Sequence, residues 1–290
     1  DQEDSYGAPA VYKALRANGK VSAPVSLVIG PWRHSGVNHY GYELGALTFT
    51  GDTADEFRVQ YMKPFFDHYL KDAPDPHTPQ VLTYATGVNR WERSDRWPAG
   101  QPVPLYLGER HGAGFAAPKA GGHDDYVSDP SKPVPFIPRP VDMADPLQWK
   151  PWLVRDQRFV SDRPDVLVYQ TAALDKPVHI MGPPQVELYA ATSGSDSDWV
   201  VKLVDVYPNT SPEPAFQGSK PGMAGFEIFR GRYVHGFDKP APLKPGKVEE
   251  YRFGLPNVDH VFLPGHRIMV QVQSSLFPLY DRNPQTYVDN

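Results

Sequence analysis

A run of acids, Asp1-Gln2-Glu3-Asp4, and a histidine, His34 in Gly30-Pro31-Trp32-Arg33-His34, stand 33 residues apart in this chain. A carboxylate and an imidazole can share acid–base work. The carboxylate accepts one ring N–H, holds a single tautomer, and stabilises the imidazolium formed when the other nitrogen takes a proton from a nucleophile. Asp1 is the candidate acid and His34 the candidate base. Both also have ordinary readings: a histidine after a strand is commonly a plain loop residue, and an acidic start is commonly a solvated end.

The intervening sequence has the pieces needed to bring the two together. Residues 9–17 (PAVYKALRA) predict a helix, with Pro9 suited to its first turn and Val11, Leu15 and the alanines on one face. Asn18-Gly19 stops it, since both residues tolerate the left-handed conformation. Residues 25–29 (VSLVI) are a short apolar run between Pro24 and Gly30, the pattern of a buried parallel strand. His34 follows directly. Acid, crossover helix, strand and loop histidine make one β-α-β unit, for which about thirty residues is the usual length. In doubly wound sheets, reacting groups gather beyond the carboxyl ends of the strands. A serine nucleophile for such a pair calls for a G-x-S-x-G elbow before the acid, and the chain contains none. Ser35 follows the base in order, and Ser195 lies far downstream among acids, so neither is assigned.

Farther along, residues 55–70 predict an amphipathic helix with Phe57, Tyr61, Phe65 and Tyr69 at four-residue spacing as core packing, kinked at Pro64. His68 on this helix reads as structural. A Pro/Asp-rich stretch from Asp72 to Pro79 marks a boundary. Short strand-like runs then recur at 81–84, 105–107, 166–170, 185–191, 200–207, 251–255 and 267–272, between turns rich in proline and glycine. The expected organisation is an α/β segment over 1–72, a linker over 73–80 and an all-β sandwich of jelly-roll type over 81–290. Prolines 130, 133, 135, 138 and 140 predict an extended arm of the kind that wraps a neighbouring domain or subunit. Asp196, Asp198 and Asp205 lack EF-hand spacing and read as turn chemistry rather than a calcium site. Trp91 and Trp97, among Arg90, Arg93 and Arg96, read as packing with snorkelling arginines rather than a ligand platform. His235, His260 and His266 show no metal-ligand pattern. No metal and no cofactor are expected.

Composition narrows the partners. A net charge of −5 over 290 residues, without a basic stripe, argues against nucleic acid. The absence of cysteine removes disulfides, thiol catalysis and cysteine-type zinc. No run of 18 apolar residues offers a membrane-spanning helix.

The motifs Asp1-Gln2-Glu3-Asp4, Gly30-Pro31-Trp32-Arg33-His34 and Gln271-Val272-Gln273-Ser274-Ser275-Leu276-Phe277-Pro278 resemble the α-amino acid ester hydrolases, relatives of cocaine esterase, glutaryl-cephalosporin acylases and X-Pro dipeptidyl-peptidases. The likeness extends through Ser193-Gly194-Ser195-Asp196-Ser197-Asp198-Trp199 and Gly265-His266-Arg267-Ile268. It implies the C-terminal portion of an α/β-hydrolase catalytic domain over 1–72, followed by a jelly-roll β-sandwich over 81–290 that is truncated at its end. It implies Asp1 and His34 as triad acid and base. Glu3 and Asp4 would belong to a carboxylate cluster that binds the substrate's α-ammonium group, although they could instead simply face solvent. The implied activity is hydrolysis and acyl transfer on α-amino acid esters and α-amino β-lactam antibiotics through an acyl-enzyme, in a periplasmic homo-oligomer. The sequence departs from a complete member in lacking the serine, the oxyanion hole and a further cluster carboxylate. The chain is therefore expected to be one segment of a polypeptide about twice as long, inactive by itself. Two alternatives are a non-catalytic jelly-roll binding or scaffold module, and an esterase or X-Pro peptidase specificity; the Glu3/Asp4 pair argues against the second.

Overall fold

The computed structural model describes residues 2–98, 100–137, 139–140, 142, 144–145, 154–208 and 221–288, with backbone alone at 2–5 and 221–223. The chain forms two compact units: Asp1–Gln101 with Lys176–Pro183 and Pro256–Leu263, and Pro102–Asp175 with Pro184–Leu255 and Pro264–Asn290.

The first unit opens with helix α1, Gln2–Ala17. Its start precedes the expected one, so Pro9 sits inside the helix rather than in its first turn. Glu3 and Asp4 then occupy the N-terminal turn, where the helix dipole favours carboxylates. The buried face of α1 is Pro9 and Tyr12, while Val11 and Leu15 are exposed. Tyr12 packs with Leu27, Val81 and Trp97. Strand β1 (Leu27–Ile29) confirms the apolar run before His34 and pairs in parallel with β4 (Val81–Ala85), Leu27 opposite Val81. Strand β4 pairs antiparallel with β5 (Arg90–Ser94), Leu82 opposite Arg93. All five residues of β4 are buried, which is why this strand reads as a continuous apolar run. Between β1 and β4 lie the small hairpin of β2 (Glu43–Leu44) and β3 (Leu47–Thr48), then helix α2 (Thr53–Phe57) and helix α3 (Lys63–Lys71).

Between α2 and α3, residues Arg58–Met62 form a π-turn. The expected kink at Pro64 is resolved here: Pro64 has no N–H and its ring would clash with an α-helical carbonyl four residues back, and the wider turn comes immediately before it. Phe57, Tyr61 and Phe65 are half-buried and Tyr69 is exposed, so the aromatic stripe is only partly core.

The first unit is completed by β9 (Val178–Gly182) and β14 (Val258–Phe262), paired antiparallel with Val261 opposite His179. Thr86, at the end of β4, forms a parallel bridge with His260 and accepts from the Val261 N–H at 2.9 Å.

The second unit is built on a four-stranded antiparallel sheet ordered β12 (Pro221–Arg230), β11 (Asp198–Val206), β15 (Arg267–Gln273) and β8 (Leu167–Gln170). Strand β11 is buried along its whole length, so both faces of the sheet are covered. One face meets β13 (Glu249–Gly254), itself paired with β10 (Gln185–Ala190): Trp199 lies 5.4 Å from Tyr251, and Phe229 stacks on Phe253 at 5.5 Å. The other face buries Val200, Phe226 and Leu276 against Phe136 and Ile137 of the proline-rich segment. A two-stranded ribbon of β6 (Tyr106–Leu107) and β7 (Ala113–Gly114) is also present. Phe136 and Ile137 of this segment thus pack on the sheet of their own unit. The Phe136 N–H reaches the Phe277 carbonyl at 3.1 Å, and the Val134 N–H reaches the Ser275 hydroxyl at 2.8 Å.

Candidate functional site

His34 stands on an exposed turn just past β1, and the sequence around it explains the shape of that turn. Gly30 has no Cβ because the Trp32 ring folds back over it and occupies that space. The ring is fixed at its far side, where Trp32 Nε1 donates to Thr53 Oγ1 at 2.9 Å and Thr53 Oγ1 donates to the Gly41 carbonyl at 2.8 Å. Phe57 and Trp91 pack on it at 5.4 and 5.9 Å between centroids. Ser35 takes the left-handed conformation, φ 58°, and leads into a short 3-10 turn at Gly36–Asn38. The Gly36 N–H closes back on the Arg33 carbonyl at 2.7 Å. His34 is therefore presented outward from a backbone held on both sides.

Asp52 ties the far end of this loop to α2. Its Oδ1 accepts from the N–H groups of Gly41, Ala54 and Asp55 at 2.8, 3.1 and 3.0 Å, capping the helix and holding the loop with one carboxylate. Partial burial pushes this carboxyl up, but the three N–H donors and the nearby Arg58 outweigh it, so its pKa lies below the ordinary value. Arg58 reaches across to the loop from the other side, its Nη1 donating to the carbonyls of Val37 and His39 at 2.6 and 2.8 Å.

Of the residues assigned from the sequence, His34 alone is described to its side chain. Asp1 lies outside the described residues, and Glu3 and Asp4 are placed by backbone alone, in the first turn of α1. Thr53, Asp52 and Arg58 were not singled out from the sequence. Asp52-Thr53-Ala54-Asp55-Glu56, an N-cap residue followed by acids, is a helix-start signature that points to Asp52.

A carboxylate–imidazole contact away from His34 occurs in the first unit. Asp259 Oδ1 lies 2.6 Å from His179 Nε2, and Thr83 Oγ1 donates to Oδ2 of the same carboxylate. The Asp259 side chain is 1% exposed and that of His179 39%. Thr83 bonds the carboxylate rather than the imidazole, so this arrangement does not align a nucleophile with the base. It staples β14 to β4 and β9.

Asp196, Asp198 and Asp205 of the second unit are each engaged by partners. Asp196 Oδ2 accepts from Arg232 Nε and Nη2 at 2.8 and 2.5 Å, with both groups buried. Asp198 accepts from Asn283 at 2.8 Å and pairs with Arg230; burial pushes its carboxyl above the ordinary value against the pull of these donors. Asp205 lies 2.9 Å from His266 Nδ1. Ser195 Oγ accepts from the Tyr287 N–H at 2.9 Å, a loop contact rather than a nucleophile's setting. Trp91 packs against Trp32, Tyr61 and Tyr84, and buried Trp97 donates to Asn257 at 2.9 Å. Among the described residues, no three His, Asp or Glu side chains gather as a metal site, and no helix is long and apolar enough to cross a membrane.

Residues 76–290 match the family model of the X-Pro dipeptidyl-peptidase C-terminal non-catalytic domain. The chain is 33% identical over 286 residues to the cocaine esterase of Rhodococcus sp. (strain MB1 Bresler), covering 92% of this chain and 46% of that protein. Among solved structures it is similar to an α-amino acid ester hydrolase, with 52% identity and a TM-score of 0.95 over 100% of this chain and 49% of that one. It is also similar to an aminopeptidase from a marine sediment archaeon of the Thaumarchaeota, with 50% identity, a TM-score of 0.95, and coverage of 100% and 48%. The chain thus spans about half the length of the relatives it matches.

Proposed function

Since the chain belongs to the X-Pro dipeptidyl-peptidase C-terminal domain family, and is homologous to ester hydrolases, we propose that it is the C-terminal portion of a serine hydrolase acting on α-amino acid esters. In this reading residues 1–72 complete an α/β-hydrolase catalytic domain and residues 81–290, after the linker 73–80, supply a supporting jelly-roll domain, with strands β4, β5, β9 and β14 of that stretch closing the first unit. The serine belongs to the portion of such a hydrolase that these 290 residues do not span. The observation that carries the proposal is the presentation of His34: a histidine on a braced loop directly after a parallel strand, in a chain alike over its whole length to an ester hydrolase.

The chemistry follows from the roles. The serine attacks the acyl carbonyl while His34 takes its proton, and Asp1 holds the imidazole tautomer. His34 then returns the proton to the leaving alcohol, or to a β-lactam amine, leaving an acyl-enzyme. Water completes hydrolysis, or a β-lactam nucleus accepts the acyl group. Glu3 and Asp4 bind the substrate ammonium, each charge-assisted bond contributing about 1.5–3 kcal/mol. Periplasmic location and assembly as a homo-oligomer belong to the same proposal.

The test uses the complete polypeptide with paired phenylglycine and phenylacetic methyl esters. His34→Ala should lower kcat by roughly a thousandfold or more while the fold is retained. Glu3→Gln with Asp4→Asn should narrow the preference for the amino ester by at least about tenfold. Near-normal turnover in the first, or an unchanged preference in the second, refutes the corresponding role.

A second reading is aminopeptidase activity, favoured by the likeness to the archaeal enzyme. A peptide N-terminus offers the same ammonium beside a carbonyl, but with a poorer leaving group. Comparing amide with ester turnover of one aminoacyl group separates the two readings.

A further inference from the structure

Arg58 is not part of any reacting constellation, yet its side chain is spent on the backbone of the His34 loop. Its Nη1 donates to two loop carbonyls, Val37 at 2.6 Å and His39 at 2.8 Å, and its Nη2 is steadied by Asp55 Oδ1 at 3.2 Å. These carbonyls lie three and five residues past His34, Val37 within the 3-10 turn that follows Ser35 and His39 at its end. Nothing about helix stability asks for this reach, because α2 is already capped by Asp52. The π-turn that accommodates Pro64 begins at Arg58 and sets where its side chain leaves the helix. The Lys63 N–H bonds to the Arg58 carbonyl five residues back, a spacing found frequently at functional sites.

We propose that Arg58 is a positioning residue for His34, its guanidinium clamping the Val37 and His39 carbonyls and so fixing where the imidazole is presented. The role rests on the reading of His34 as the base. The clamp complements the Trp32–Thr53 bond: Thr53 holds the start of the loop through an indole, Asp52 its end through the Gly41 N–H, and Arg58 its middle. A planar guanidinium suits the task, since one nitrogen can serve two carbonyls while the other is anchored.

The experiment is done on the complete polypeptide. Arg58→Ala should lower kcat on an α-amino acid ester by roughly 10- to 100-fold with KM held within about twofold, the scale expected when a reacting group is displaced by about 1 Å. The Arg58 side chain is 27% exposed, so the hole left by alanine is open to solvent, and millimolar methylguanidinium should restore much of kcat. Hydrogen exchange at amides 33–41 should speed up in Arg58→Ala and slow again with methylguanidinium. Unchanged kcat, a loss that methylguanidinium does not reverse, or unchanged exchange would overturn the proposal. The two failures are distinguishable: turnover surviving in His34→Ala removes the base and the positioning role together, whereas loss in His34→Ala with unchanged exchange in Arg58→Ala removes the clamp alone.

Discussion

Lys202 offers the sharpest test of the energetics. It lies on the central strand β11, 1% exposed, with its Nζ donating to Gln157 Oε1 at 2.8 Å. Burial pulls its pKa down from 10.5 to about 7. A lysine whose folded value is depressed makes the unfolded chain bind more protons across the interval, so stability rises with pH between about 7 and 10.5. Below that window both states are protonated and the full cost is present; above it both are neutral and the cost is gone. At about 1.4 kcal/mol per unit, the interval is worth roughly 5 kcal/mol, of which about 4 still weighs on the protein at pH 7. Lys202→Met removes this burden but leaves the Gln157 oxygen without its donor, which costs about 1–3 kcal/mol. The variant should therefore be more stable than the wild type by roughly 1–3 kcal/mol at pH 7, and no more stable, or less so, at pH 10. Urea unfolding followed by tryptophan fluorescence at pH 7, 8, 9 and 10 measures the difference, in which all other titrations cancel. Equal pH slopes for the two proteins would refute the reasoning.

Two further outcomes concern other joints of the fold. Gly87 has φ 87°, and a Cβ there would run into the Val261 carbonyl oxygen, so Gly87→Ala should cost roughly 2–4 kcal/mol in urea unfolding; a loss under about 0.5 kcal/mol would contradict the backbone contact. Arg232 pairs with buried Asp196, donates to the Val288 carbonyl and lies 4.8 Å from the Tyr287 ring centre, so Arg232→Met should cost about 3–5 kcal/mol and speed hydrogen exchange across 283–288, while protection left unchanged there would show the pair is not what seats that segment.

What the sequence revealed and what it hid follow from how each strand is buried. Strands β4, β8, β11 and β15 were legible because burial on the sheet leaves long apolar runs with few interruptions. Strand β5, Arg90-Trp91-Glu92-Arg93-Ser94, was not, because its alternation is mostly polar and its apolar contact is concentrated in Trp91. Strand β14, Val258-Asp259-His260-Val261-Phe262, hides behind Asp259, whose partners Thr83 and His179 are 176 and 80 residues away in sequence. Residues 221–230 carry a proline and two glycines, which dilute the strand pattern, so β12 is not among the strands read from the sequence; its place is set by pairing along β11. At the site, His34 stood out because it follows an apolar strand run one β-α-β length after a carboxylate, in Gly30-Pro31-Trp32-Arg33-His34. Arg58 did not, because a surface arginine on an amphipathic helix is commonplace until the loop it grips is known.

The first unit is assembled from three stretches of chain, the last ending at Leu263. On the order of 160 residues separate Gln101 from that point, and at roughly 5–20 residues per second a ribosome needs about 8–30 s to make them. Throughout that delay Thr83 lacks its acceptor and the end of β4 its neighbour, so the unit begun first is finished late. Folding during synthesis cannot run unit by unit along this polypeptide. A cut placed between Gln101 and Lys176 divides the first unit as surely as it divides the second, and recombining the halves would have to rebuild both.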